Sequence, residues 1–240
     1  MPDKRKHRGS HPQDMNFFSD AEVVKIIRAV GDFSMLISKG YATKSVLKLV
    51  GDRFNLSKRQ RLAVLRNGCS EEQLLNRQSK MLSLQQIRGE DVLIDGYNLL
   101  ITIESALSDG FIFVSRDGTF KDLASIHSTY HRVSETVEAI EMIGRFLEEN
   151  GAGSVRWLLD RPVSNSGRVK KILLDVAREK GWDWEVELVM SPDKLLCETE
   201  AVVISSDSVV LDRCKQWVNF GGELVRRKIS GAKIIDLREQ

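Results

Sequence analysis

Apolar positions in the first 90 residues recur every three or four residues, which is the period of amphipathic helices. The strongest case follows Ser19 and Glu22, which have the spacing of a capping box at a helix start. One face of this helix carries Val23, Val24, Ile26, Ile27, Val30 and Phe33. Further helices are predicted over 43–50, after a cap at Asn55 and Ser57, and from Ser70 onward. Together these elements predict an all-helical domain over residues 16–90.

The pattern changes at Asp91, where short apolar runs begin to alternate with helical segments. The predicted strands are 92–95, 111–114, 155–160, 184–190, 201–205, 224–229 and 233–237. The predicted helices follow the first of these strands and then cover 134–149, 166–180 and a stretch that ends near residue 220. Strands that alternate with helices of about 10 to 15 residues are typical of βαβ units and a mostly parallel sheet. The sequence therefore predicts an α/β domain over residues 91–240.

Composition narrows the class of protein. Hydrophobic residues make up 42% of the chain and charged residues 29%, which excludes collagen-like, low-complexity and wholly disordered chains. No apolar run approaches the ~18 residues of a membrane helix, so we expect no membrane partner. Cys69, Cys197 and Cys214 show no Cys-x-x-Cys spacing. Their pattern argues against a disulfide framework and favours a reducing, cytoplasmic location.

The net charge of +2 conceals two halves of opposite sign. Residues 1–90 hold 17 basic and 9 acidic side chains, a balance of +8, whereas residues 91–240 hold 19 and 25, a balance of −6. Such an asymmetry favours a basic portion that binds nucleic acid. The first 15 residues contain Lys4, Arg5, Lys6 and Arg8 with no apolar stretch behind them. We therefore expect residues 1–15 to form a flexible basic arm and not a secretory signal.

Aspartates mark the ends of the predicted strands. Asp95, Asp160, Asp193 and Asp207 each end or closely follow a strand, and Asp212 lies five residues beyond Asp207. Ligands of parallel sheets bind beyond the carboxyl ends of the strands. Carboxylates gathered there repel one another unless a cation neutralises them, and hard oxygen ligands suit Mg²⁺ or Mn²⁺. Turn formation or helix capping also explains single aspartates, and for Asp193 a capping role is the favoured interpretation.

Four segments of the α/β half resemble the PIN-like nuclease superfamily, including its NYN branch: DVLIDGYNLLITIESAL, LLDRPVSNSG, SPDKLL and SSDSVVLD. Over residues 16–240 the chain is similar to an uncharacterised prokaryotic family, known mainly from archaea, that joins a helical domain of unknown function to a PIN-like domain. This narrower resemblance includes Lys39-Gly40-Tyr41 and the stretch 50–54. It implies a three-layer α/β/α domain with a mostly parallel central sheet, preceded by a small all-α domain, and metal-dependent endoribonuclease activity.

The resemblance also implies roles for particular residues. Asp95, Asp160, Asp207 and Asp212 match the catalytic, metal-binding aspartates, and Asn98 matches the asparagine that orients the first carboxylate or a metal-bound water. The superfamily usually has a further acidic residue on the helix before the second core strand. Candidates for that position are Glu135, Glu138 and Glu141, and also Glu104 on the first helix of the domain. The sequence does not select among them.

Basic residues supply the expected contacts with nucleic acid. We assign phosphate contacts to Arg53, Lys58, Arg59, Arg61, Arg161 and Arg168. Contacts of this kind give a salt-dependent affinity that is independent of base sequence. Asn165 precedes a predicted helix whose amide groups would bind a phosphate, although plain capping explains its position equally well.

The function expected from these features is hydrolysis of RNA phosphodiester bonds by a metal-dependent nuclease, with Mg²⁺ or Mn²⁺ as the cofactor. The alternative is a catalytically inactive RNA-binding or ribonucleoprotein-assembly module with the same fold. We expect nucleic acid, and RNA in particular, as the partner, while the sequence leaves open whether the chain forms a homodimer. Phosphatase or receiver-type chemistry ranks lower, because the first strand lacks the second aspartate of an Asp-x-Asp motif.

Overall fold

The computed structural model describes residues 7–9, 11–124 and 130–238, and its N-terminal part is helical, as predicted. The helices of this part are α1 (Asp14–Phe17), α2 (Asp20–Ser38), α3 (Thr43–Arg53), α4 (Lys58–Asn67) and α5 (Glu71–Lys80). Capping boxes begin α4 and α5, in each case between a serine and a glutamine three residues later. The capping box predicted at Ser19 is wrong. Ser19 makes no side-chain bond to α2, because Glu22 instead contacts Gln60 and Lys25.

The α/β part contains a six-stranded sheet whose strands are all parallel, in the order β1-β8-β7-β2-β5-β6. The strands of the chain are β1 (Met81–Leu82), β2 (Val92–Asp95), β3 (Phe111–Val114), β4 (Phe120–Lys121), β5 (Val155–Asp160), β6 (Trp184–Val189), β7 (Val202–Ile204), β8 (Trp217–Val218) and β9 (Lys233–Asp236). The helices of this part are α6 (Gly96–Leu107), α7 (Thr136–Glu149), α8 (Ser166–Lys180), α9 (Pro192–Glu198), α10 (Ser208–Arg213) and α11 (Phe220–Lys228).

Helices cover both faces of this sheet, so the expected three-layer α/β/α architecture is confirmed. Successive residues of a strand point to opposite faces. Val92 and Ile94 therefore pack with α6, α7, α8 and α11, whereas Leu93 packs with α9 and α10. Burial on both faces explains why β2 is an unbroken apolar run before Asp95. Across the described part of the chain, no helix combines the length and the apolar character that spanning a membrane requires.

A second, three-stranded sheet joins the two parts of the chain. β3 pairs antiparallel with β4 and parallel with β9. The face of this sheet packs against the helices, and the ring of Phe18, which follows α1, lies 4.9 Å from the ring of Phe113. Ile26, Val64 and Leu237 belong to the same apolar cluster. The helical part and the small sheet therefore share one hydrophobic core.

The α/β sheet begins before the predicted boundary at residue 90. β1 pairs with β8 through Met81 opposite Trp217 and Leu82 opposite Val218. The 3₁₀ turn Leu84–Ile87 that follows is also packed into the α/β core. The change from helical domain to sheet therefore falls near residue 80. Two-residue strands are too short for a periodicity argument to detect, which is why the sequence places the boundary later.

Two predicted elements near the end of the chain are wrong. Residues 224–229 were expected to be a strand, but they lie mostly in α11, where Leu224 and Val225 are buried and the basic last turn suits the negative end of the helix dipole. The helix expected to run to about residue 220 is the six-residue α10, and β8 follows it. Trp217 is fully buried and donates its indole N–H to the carbonyl of Arg77 over 2.9 Å.

The prediction that residues 1–15 form a flexible arm is wrong for the residues of this segment that the structure describes. Lys4, Arg5 and Lys6 lie outside the described residues. Arg8 donates its Nε to Glu104 Oε2 over 2.5 Å, and its Nη2 bonds the carbonyl of residue 131 over 2.8 Å. Asp14 is buried in α1, and its carboxylate accepts from Nε and Nη2 of Arg59 over 2.5 and 2.7 Å. Charge pairs therefore attach this segment to the rest of the chain.

Candidate functional site

The carboxyl edge of the parallel sheet collects four aspartates. Asp95 is the last residue of β2 and Asp160 the last of β5, while Asp207 follows β7 after two serines and Asp193 lies in the first turn of α9, after β6. The strands β7, β2, β5 and β6 are neighbours and run in one direction. Their ends therefore meet at one edge, where open α/β sheets bind ligands.

The electrostatics of this edge show that the four carboxylates are near one another. Asp95 is 7% exposed, and its pKa is raised to about 7, first by burial and then by the charges of Asp207, Asp193 and Asp160. The hydroxyl of Ser205 donates to Asp95 Oδ2 over 2.8 Å, and this hydrogen bond lowers the pKa of Asp95. The pKa values of Asp160 and Asp193 are also raised, by the loss of surrounding water and then by Asp193 and Asp207, respectively.

No described lysine or arginine forms an ion pair with any of these four aspartates. The edge is therefore an acidic site without a direct ion pair among the described residues, although Lys121 acts on Asp207 from a distance, and a bound divalent cation would relieve the remaining repulsion. In the residues that the structure describes, however, no three Asp, Glu, His or Cys side chains are close enough to hold one metal ion. The four aspartates offer the oxygen ligands that a divalent cation prefers, but their carboxylates do not converge on one point.

Two polar side chains hold the loop after β7. Asp207 caps α10, since its Oδ1 accepts from the backbone N–H groups of Val209 and Val210 over 2.8 and 3.2 Å. Asn98 Oδ1 accepts from the backbone N–H and the hydroxyl of Ser206, over 2.8 and 2.9 Å. Asn98 therefore does not bond Asp95, the first of its two expected roles, while orientation of a metal-bound water stays a prediction. Asn98 positions the β7–α10 loop, and Ser205 is the residue that bonds Asp95.

The assignment of Asp212 to the site is also corrected. Asp212 accepts at Oδ1 from Arg77 Nε over 2.6 Å and at Oδ2 from Gln73 Nε2 over 2.8 Å, so both oxygens bond α5 of the helical domain. Arg77 is 1% exposed and also bonds Asp117 over 2.6 Å. Five residues along a helix turn a side chain by about 140°, which directs Asp212 away from the edge that Asp207 occupies. Asp212 therefore joins the domains, and Asp193 is the fourth aspartate of the site.

Glu104 is fully buried and lies in a separate network. Its Oε1 accepts from the hydroxyls of Tyr130 and Thr136, and its Oε2 accepts from Arg8. Burial raises the pKa of Glu104, and Arg8 opposes this rise. It is not among the groups that shift Asp95. Asn165 bonds the carbonyl of Tyr130 over 2.9 Å with a left-handed φ of 72°, and its side chain does not cap α8.

The other three acidic candidates of the sequence lie on α7 or just before it, where Glu135 contacts His7 and Glu141 contacts both Arg145 and Lys180. Neither of these two glutamates, nor Glu138, is among the groups that shift the pKa of Asp95, Asp160 or Asp193. The acidic residue expected before the second core strand is therefore absent from the described edge.

The predicted nucleic-acid residues divide into two groups. Arg53, Arg59 and Arg61 pair with Asp32, Asp14 and Asp52 within the helical domain. These pairs neutralise the basic cluster that the sequence suggested. By contrast, Lys58, Arg161 and Arg168 are exposed and have no ion-pair partner among the described residues. Arg161 directly follows Asp160, so it lies at the carboxyl edge of the sheet.

We expect the Asp95→Asn variant, in EDTA, to be more stable than the wild type at pH 8 and nearly equal to it at pH 4.5. The folded pKa of Asp95 is about 7 and the unfolded value 3.8, so the folded state holds the extra proton. Stability from this proton is present below pH about 4 and is lost as the pH rises to about 7, by roughly 4 kcal/mol at most. Urea unfolding at several pH values measures the difference. A difference that does not change with pH would show that Asp95 ionises normally.

Two family models match the chain, one in its helical part and one in its α/β part. Residues 84–223 match the family model described as "Domain of unknown function (DUF5616)", and residues 25–80 match "Protein of unknown function (DUF434)". The chain is 29% identical over 188 residues to the uncharacterized protein MJ0935 of Methanocaldococcus jannaschii, covering 78% of this chain and 89% of that protein. No solved structure gives a significant match. Because the first match covers more than half of the chain, the protein belongs to the DUF5616 family.

Proposed function

We propose that this protein is a divalent-cation-dependent endoribonuclease with a PIN-like α/β domain. The observation that carries the proposal is the group of four aspartates at the carboxyl edge, of which Asp95 has a pKa raised to about 7 by burial and by the other three. Assembling unpaired carboxylates costs free energy, and a site of this kind is typical of functional positions. Phosphodiester hydrolysis needs mainly positioning and charge neutralisation, which such a site supplies with a bound cation.

We assign a separate role to each residue of the site. Asp95, Asp160, Asp193 and Asp207 would hold Mg²⁺ or Mn²⁺, which when bound lowers the pKa of a water and neutralises the phosphate. Ser205 orients the Asp95 carboxylate through its 2.8 Å hydrogen bond. The helix cap fixes Asp207, and Asn98 fixes the loop that carries it. These contacts set two of the four carboxylates before a ligand arrives, which lowers the entropic cost of binding.

Exposed basic residues support an RNA substrate. Arg161 follows Asp160 directly, and Arg168 lies on the first turn of α8. Lys58 opens α4 in the helical domain. Arg161 and Arg168 would contact the phosphate backbone next to the acidic edge and offset its repulsion of the substrate, and Lys58 would add a contact from the helical domain. Binding through phosphate contacts weakens steeply as the salt concentration rises.

The test is a cleavage assay with end-labelled single-stranded and structured RNA in Mg²⁺, Mn²⁺ or EDTA. We expect cleavage with either cation and none in EDTA. Asp95→Asn should reduce the rate at least about 100-fold, since it removes a charge from the centre of the site. Asp175→Asn is a matched control, because Asp175 is exposed on α8 and pairs only with Arg178 among the described residues. Equal rates for Asp95→Asn and the wild type would refute the proposal.

A second candidate is an RNA-binding or ribonucleoprotein-assembly module without hydrolysis. It is favoured by the failure of three acidic side chains in the described chain to converge on one point. This candidate predicts RNA binding that is equally strong in Mg²⁺ and EDTA and is unchanged by Asp95→Asn. A gel-shift titration with the same RNAs distinguishes it, because the nuclease proposal requires cleavage of the bound strand.

A further inference from the structure

A cavity of about 520 Å³ lies between the helical domain and the carboxyl edge of the sheet. Leu65 and Arg66 of α4 form one wall, and the start of α6 forms another. Asp207 belongs both to the lining and to the acidic site, so the two are adjacent. Cavities that bind small molecules measure about 300 to 1,000 Å³, so this one is large enough for a nucleotide.

The lining contains hydrogen-bond donors that lack partners among the described residues. Lys121 is 7% exposed and donates to the hydroxyl of Ser208 over 2.9 Å, although an ammonium carries three N–H groups. The amide oxygen of Asn98 is bonded to Ser206, but its NH₂ group has no partner among the described residues. The hydroxyl of Tyr97, which is 5% exposed, is buried and unpaired. Buried donors without acceptors are costly, so this wall suits an acceptor-rich ligand such as a phosphate.

The two carboxylates of the lining are engaged by protein donors. Asp122 accepts from the hydroxyl of Thr102 over 2.8 Å and from the N–H of Ala124 over 2.7 Å. Asp207 caps α10. Arg66 lies 3.9 Å from Asp122, and Lys121 acts on Asp207 as well as on the buried Asp117 behind it. The lining therefore does not repel a singly charged phosphodiester on balance of formal charge.

The remaining wall is apolar. Leu65 on α4 and Val209 on α10 are 39% and 48% exposed, and Ile101 on α6 lies deeper at 7%. Exposed aliphatic side chains at a cavity mouth offer a surface on which a planar base can pack. An apolar wall beside unpaired donors matches a nucleotide, which joins a flat base to an anionic phosphate.

We infer that this cavity binds one nucleotide, with the phosphate at Lys121 and Asn98 and the base against Leu65, Ile101 and Val209. One part of the inference rests on the proposed function, namely that the bound nucleotide lies next to the bond that is cleaved. Binding itself requires no cleavage. Either a nucleotide of an RNA strand or a free nucleotide presents the same chemistry, and the experiment separates these sources.

The test compares Leu65→Trp, which fills the cavity mouth, with Leu49→Trp on α3. Leu49 is 61% exposed and does not line the cavity, so it is a matched control. Binding is measured by titration calorimetry in EDTA with two probes: adenosine 5′-monophosphate and a 2′-O-methyl hexanucleotide, which resists cleavage. We expect Leu65→Trp to weaken binding of at least one probe about tenfold or more, and Leu49→Trp to leave it within about twofold.

The outcomes separate the sources and the proposals. Loss of binding for both probes assigns the cavity to a nucleotide of either source, and loss for the hexanucleotide alone assigns it to an RNA strand. Binding of neither probe by the wild type, or equal binding by Leu65→Trp and the wild type, overturns the inference. If Leu65→Trp lowers the melting temperature, Val209→Trp fills the cavity from the other side. Because EDTA is present throughout, a failed cleavage assay does not change these results.

Discussion

Asp193→Asn is expected to lower the rate of RNA cleavage about 100-fold, the size typical of losing one charged or hydrogen-bonding group from a catalytic site. Asp212→Asn is expected to leave the rate within about threefold of the wild type. The reason is geometric. Asp193 shares its electrostatic environment with Asp160 and Asp207, whereas both oxygens of Asp212 bond Gln73 and Arg77. Steady-state cleavage in Mn²⁺ measures both variants.

The two variants control for each other, because both replace a single carboxylate by an isosteric amide. Asp193 is exposed on the first turn of α9 and its carboxylate is repelled by Asp207, so Asp193→Asn should fold with a melting temperature no lower than that of the wild type. Asp212→Asn should instead lower the melting temperature, since it weakens an ion pair with a buried arginine. If Asp212→Asn abolishes cleavage while its melting temperature is unchanged, the assignment of Asp212 by sequence resemblance is right and ours is wrong.

Arg77→Met should lower the free energy of unfolding by about 3 to 5 kcal/mol, the cost of removing one partner from a buried charge network. Arg77 is 1% exposed and bonds Asp117 and Asp212, each over 2.6 Å. Burial alone would raise the pKa of Asp117, but Lys121 and Arg77 hold it below its usual range. Without Arg77, Asp117 remains buried with Lys121 as its nearest cation. Urea unfolding monitored by circular dichroism measures the loss.

Arg116→Met is the matched control for this prediction. Arg116 contacts Glu71 over 2.5 Å, also between the helical domain and the β3–β4 turn, but the pair is at the surface. Surface pairs contribute about 0 to 1 kcal/mol, so this variant should lose much less stability. Acid should narrow the difference between Arg77→Met and the wild type, because the stability from Asp117 is present above its unfolded pKa of 3.8 and is lost as the pH falls. A loss below about 1 kcal/mol for Arg77→Met at pH 7 would contradict the role of the network.

The part of the site that could be predicted depends on strand direction alone. Asp95 and Asp160 end apolar runs, and parallel strands bring their ends to one edge whatever the loops do. Asp193 required more, because α9 packs back over β2 and β5 and carries its first turn to that edge. The prediction for Asp212 was wrong because its position also depends on tertiary contacts. A spacing of five residues after Asp207 does not reveal that α5 of another domain supplies its partners.

The predictions of secondary structure were wrong where tertiary contacts, and not the local sequence pattern, determine the element. β1 and β8 have two residues each and are defined by pairing within the sheet, β1 with β8 and β8 also with β7. The basic cluster at Arg53, Arg59 and Arg61 was visible in the sequence, but its carboxylate partners are distant along the chain or face it only after folding. The helices of the N-terminal part, in contrast, carry their own periodicity and capping residues. They were predictable because their signals are local.

The shared core of the helices and the small sheet has a consequence for synthesis on the ribosome. Phe18 and Ile26 are made early, but the cluster that covers them includes Phe113 and Leu237. At 5 to 20 residues per second, about 10 to 40 s separate the first of these residues from the last. During that interval the nascent helices present an incomplete apolar surface. The apolar cluster of the helices is therefore complete only after β9 and Leu237 have emerged.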